Sequence, residues 1–208
     1  MTTTTRPRSP LDSALTIALA AASISGLTIV LAALGWIDLV YSAWILAPLS
    51  AVVFVGLLTG GRAREAQAIL VDRLVGGIKA GAAGLVAYDL VRLAVRLGGV
   101  SFNPFRPIEL YGLLLLGRVT DTGFSKGLGW AFHVWNGLSF ACMYTLAAGR
   151  GRVGLAVVWA MVLEGAMLAA YPSLFGIARD WRFVVLSCTG HLAYGLTVGY
   201  GARRWVTA

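Results

Sequence analysis

The chain is 208 residues long with a net charge of +8, and 58% of it is hydrophobic. Its 26 glycines take the apolar share to about 70%, against roughly 45–50% in an average soluble domain. Only 12% of the residues are charged, which excludes disorder, and a soluble globule could not hide so much apolar surface. A polytopic helical membrane protein is left. In such a chain an excess of Lys and Arg follows the positive-inside bias, so it gives no reason to expect nucleic acid.

A polar tail, residues 1–12, precedes a charge-free stretch from Ser13 to Ile37. A signal-peptide core runs only about 7–15 residues, so this stretch reads as a first span, with cleavage near Ala20-Ala21-Ala22 as the alternative. Asp38 marks a tight turn, and a second charge-free stretch runs from Leu39 to Gly61. Both exceed the ~20 apolar residues that cross a bilayer. The third span, 74–98, carries Lys79, Asp89, Arg92 and Arg96 on a ladder of Gly76, Gly77, Gly81 and Gly84. Gly77 and Gly81 share a helix face that admits close helix packing, within the chain or between copies. Asn103-Pro104 and Arg106-Pro107 then break the pattern. Leu110 to Gly117 is too short to cross and reads as an interfacial or re-entrant helix. Spans at 127–149, 153–171 and 183–201 follow.

The expected fold is therefore all-α: one membrane domain, 13–205, of about six transmembrane helices. With the N-terminus inside, the inner segments hold Arg6, Arg8, Arg62, Arg64, Arg73, Arg150, Arg152, Arg203 and Arg204. The outer segments hold Arg96, Arg106, Arg118, Lys126, Arg179 and Arg182. Nine positive residues against six put both termini in the cytoplasm.

Four ionisable residues fall within the last four spans: Asp89, His133, Glu164 and His191. At 1.5 Å per residue they lie ~13, ~9, ~11 and ~12 Å below the outer ends of their helices. Two of these helices run up and two run down, so the common depth points to a shared polar layer facing the bundle interior. His133, Asn136, Gly137 and Phe140 share one helical stripe, and His191, Tyr194, Gly195 and Val198 repeat it. Asn136 and Tyr194 thus stand behind the two imidazoles as supporting hydrogen-bonding groups.

Two imidazoles and two carboxylates suit a divalent metal with N/O ligands. The histidines alone suit axial ligation of haem b, and all four suit a proton or cation relay. A purely structural role is the fourth reading, with Asp89 pairing Arg92 on its own helix and Glu164 locking the bundle. An enzyme of this kind would use the metal to activate water toward a lipid-like substrate. A transporter of this size would need a homo-oligomer or a larger membrane complex, with the Gly77/Gly81 face as one candidate contact. Residues 102–118 are expected to form part of an outer lid over the site. Gly123-Phe124-Ser125-Lys126-Gly127 matches G-x-S-x-G by letter but lacks the strand that a nucleophile elbow needs. Cys142 and Cys188 read as buried apolar groups.

The stretch from Gly77 through Gly81, Gly84 and Asp89 to Val91 resembles the opening of several small bacterial inner-membrane families of unknown function. Those families continue with a membrane His and Gly, then Tyr, and later His-x-x-Tyr-Gly; the matching residues here are His133, Gly137 and Tyr144, then His191, Tyr194 and Gly195. The resemblance covers residues 74–202. It implies a bacterial cytoplasmic-membrane protein and supplies no reaction.

Overall fold

The computed structural model describes residues 10–60, 64–117, 119–176 and 180–208. They form α1 (Pro10–Ala33), α2 (Leu39–Thr59), α3 (Arg64–Leu97), α4 (Arg106–Leu116), α5 (Gly123–Ala148), α6 (Val153–Phe175) and α7 (Trp181–Trp205), with no strand among the described residues. The boundaries follow local chemistry. Asp38 caps α2 by accepting from the backbone N–H groups of Val40 at 2.7 Å and Tyr41 at 3.3 Å. Pro107 sits in the first turn of α4, where its missing N–H is harmless. Gly117 closes that helix at φ 59°, a left-handed conformation that glycine tolerates. Thr122 and Ser125 cap the start of α5 reciprocally. Ser125 is fully buried in that cap, so the G-x-S-x-G match holds no nucleophile.

Five helices, α1, α2, α3, α6 and α7, are long and apolar enough to cross a membrane. α5 matches them in length, but Lys126, His133 and Asn136 lower its hydropathy below theirs. It can carry those groups because α1, α3 and α4 pack around it. The main remaining pairings are α3 with α7, α6 with α7, and α1 with α2 and α6, and α1 also touches α3 and α2 touches α4. α3 begins ten residues before the span expected from Leu74. Its added turns look polar in sequence, yet Ala66 and Leu70 continue the buried face of Leu74, and Leu70 and Leu74 join a cluster with Ala14, Ala18, Leu57, Cys142 and Leu146. Of the basic residues used to orient the chain, Arg6, Arg8, Arg62, Arg118 and Arg179 lie outside the described residues.

The glycine ladder is consumed inside the chain. A Cβ at Gly77 would sit 2.9 Å from the Cα of Cys142, and one at Gly81 would sit 3.1 Å from the Cα of Leu138 and 2.9 Å from the Cβ of Ala141. The face suggested as a contact between copies is therefore filled by α5. Gly81→Val should lower stability by about 1–3 kcal/mol, since two backbones must separate to admit it. Thermal unfolding in detergent measures this, and an unchanged midpoint would contradict the close approach.

Candidate functional site

The ladder also aims the site. Gly77, Gly81, Gly84, Tyr88 and Arg92 follow one another at intervals of three or four, a single stripe down α3. The stripe faces the bundle centre, so Tyr88 and Arg92 are buried there, at 7% and 1% exposure. Asp89 is one residue round the helix from this stripe, and its side chain is 28% exposed.

The four residues singled out from sequence come together in two pairs. His133 Nε2 lies 3.1 Å from Asp89 Oδ1, in a partly exposed position. His191 Nδ1 lies 2.8 Å from Glu164 Oε2, with both side chains buried. Tyr88 stands between the pairs, its ring centre 5.6 Å from that of His133 and 4.9 Å from that of His191. Gly190 makes this possible, because a Cβ there would meet the Tyr88 ring at 2.9 Å. Trp130 packs edge-on against the other side of His133, at 5.6 Å.

This arrangement answers several expectations. Asp89 does not pair with Arg92; it faces His133, while Arg92 turns inward. The Arg92 guanidinium donates to the Tyr88 hydroxyl and to the Pro104 carbonyl, and it lies over the Tyr88 ring at 4.6 Å. Glu164 and Tyr171 are within its electrostatic reach. Among the described residues no group of three or more His, Cys, Asp or Glu side chains is placed to hold a metal ion. The reason is Tyr88, which divides the expected ligand set into two pairs. The same ring fills the space a haem would need between the imidazoles. Cys142 and Cys188 are both free thiols.

Between the pairs lies a cavity of about 40 Å³, lined by Tyr88, Arg92, Tyr111, His133, Asn136, His191, Tyr194 and apolar neighbours. Pro107, Ile108 and Tyr111 of α4 close one side of it, so the short helix does cover the site. That volume holds a few water-sized molecules and no lipid chain. Several buried polar atoms around it have no aligned partner: Arg92 Nε, Tyr111 Oη, Asn136 Oδ1, both Glu164 oxygens and Ser187 Oγ. Glu164 is on this list despite its 2.8 Å approach to His191, because Nδ1 is aligned with the Ser187 carbonyl at 3.1 Å and meets the carboxylate off-axis. Tyr194 spends its hydroxyl on the Gly137 carbonyl, tying the two His-bearing helices together.

Arg92, Tyr88, Tyr111 and Tyr171 are the members that sequence reading overlooks. Extending the glycine stripe along α3 by helical steps would have reached Tyr88 and Arg92. Tyr171 lies two turns after Glu164 on α6, where sequence alone reads it as packing, and nothing comparable marks Tyr111 on α4.

Chemically the site offers two acid–base pairs on either side of an aromatic ring whose hydroxyl meets a buried cation. One pair is open to the outside of the bundle and one is sealed. Comparison with protein-family models, with curated proteins and with solved structures found no match for this chain.

Proposed function

We propose that this is a multi-pass protein of a bacterial cytoplasmic membrane, six helices deep with both termini inside, whose work is to take up and hold protons within the bundle. The single observation that carries this reading is the pairing of each imidazole with a carboxylate on either side of Tyr88. Histidine is the side chain that exchanges protons near neutral pH, and a neighbouring carboxylate lets the pair keep one proton between them. Asp89 and His133 form the entry pair, since they retain contact with the surroundings. His191 and Glu164 form the store, with Arg92 holding the local charge in balance. Two separate pairs suit proton handling better than a shared metal, and a cavity of this size favours protons and water over a lipid-like substrate.

A pH jump from 8 to 5 on the purified protein, read with an indicator dye, tests the proposal. His133→Gln and His191→Gln, which remove the imidazoles, should each take up fewer protons than the wild type. Equal uptake in all three proteins would overturn it. Elemental analysis and an absorption spectrum run alongside separate the rivals. A bound metal or a Soret band lost in His133→Ala would replace the proton reading with a metal or haem site.

A further inference from the structure

A second site lies at the opposite end of α3. This helix has 34 residues and is ~51 Å long, well beyond the ~30 Å hydrocarbon core. Its charged first turns, from Arg64 to Arg73, therefore stand outside the apolar layer, and Lys79 sits ~10 Å further in than Asp72. Lys79 is exposed on the outer surface of the bundle, and among the described residues no carboxylate comes within ion-pair distance of it. Asp72 is nearby but engaged, accepting from the backbone N–H groups of Thr207 at 2.8 Å and Ala208 at 2.9 Å. A cation on a lipid-facing surface needs an anion, and with Asp72 taken up by Thr207 and Ala208 none of the described residues supplies one.

The surroundings describe that anion. Lys79 lines an open groove of about 650 Å³ with Arg64, Gln67, Asp72, Val75 and Trp205. Helical side chains tilt toward the N-terminus, so the Lys79 ammonium is carried along the groove toward its polar end. Val75 also borders a second groove of about 490 Å³, almost wholly apolar, between α2, α3 and α5, with Phe54, Leu58 and Ile78 on its walls. A phosphate at Lys79 and an apolar chain beside Val75 and Ile78 together describe one amphiphile.

We infer that this end of α3 seats an anionic glycerophospholipid. Lys79 holds the phosphate and the apolar groove one acyl chain. Arg64 adds positive field at the polar end.

Native mass spectrometry of the full chain in detergent tests this, with phosphatidylglycerol and phosphatidylcholine of identical chains as probes. Phosphatidylglycerol should be retained preferentially, Lys79→Gln should cut the preference about fivefold, and Lys79→Arg should keep it. Lys126→Gln, at the other end of the bundle, should leave it unchanged, and because Lys79 is exposed its variants should unfold like the wild type. Equal retention of both lipids, or an undiminished preference in Lys79→Gln, would overturn the inference. So would displacement of the lipid by millimolar inorganic phosphate, which would assign the site to the free ion. A lipid-independent dimer in the same spectra would assign the groove to a second copy of the chain and would also overturn it.

Discussion

Replacing Arg92 with Met should lower the stability of the bundle by about 3–5 kcal/mol, the scale of breaking a buried charge network from one side. The guanidinium is 1% exposed and supplies hydrogen bonds to the Tyr88 hydroxyl and the Pro104 carbonyl. Its loss leaves both without a donor and leaves Glu164 buried without its nearby cation. Met fills a similar volume, so little of the effect would come from a cavity. Combining Arg92→Met with Glu164→Gln removes the stranded charge together with the cation. The double variant should therefore lose less than the sum of the two single losses. Thermal or denaturant unfolding in detergent gives all four corners of the cycle, and strict additivity would show that Arg92 and Glu164 do not act on each other.

The second large effect belongs to His191. His191→Leu removes the imidazole from a carboxylate that is itself 0% exposed, and it should cost about 3–5 kcal/mol for the same physical reason. His191→Asn keeps a polar group near the Ser187 carbonyl and Glu164 but cannot change its charge. It should retain more of the stability than Leu while losing the proton uptake assigned to the buried pair. This split separates a group that locks helices from a group that titrates. Wild-type proton uptake in His191→Asn would leave His191 a packing residue and remove the store from the proposed relay.

Much of the architecture was legible because lipid solvent imposes simple rules. Charge-free runs near Ser13–Ile37 and Leu39–Gly61 became α1 and α2 with ends shifted by a few residues. Pro104 marked the break before α4 and Gly117 its end, whereas Pro107, read as a breaker, belongs to the first turn of the helix, which starts at Arg106 and not at Leu110. α5 shows where hydropathy alone runs out. Its polar residues are tolerated because other helices surround them, and that is a tertiary fact a window of residues does not contain. The start of α3 shows the converse, with charged turns drawn into the helix by the buried face of Ala66, Leu70 and Leu74.

The site was legible in depth but not in partnership. Counting the helical rise placed Asp89, His133, Glu164 and His191 in one layer, and the structure brings them together around Tyr88. The rise per residue says nothing about rotation, and rotation decided that Asp89 would meet His133 while Arg92 turned to the core. The glycine stripe carried that rotational information. Gly77 and Gly81 must face a close neighbour, so whatever continues their line, Tyr88 and Arg92 included, must face it too.

The most direct test follows the two imidazoles by nitrogen NMR during a pH titration of the protein carrying labelled histidine. If both pairs belong to one network around Tyr88, Asp89→Asn must move the titration of His191, although these residues touch only through that ring, and Glu164→Gln must move that of His133. Two histidines that titrate independently, each blind to the other pair's carboxylate, would contradict the shared layer and with it the proton-handling role.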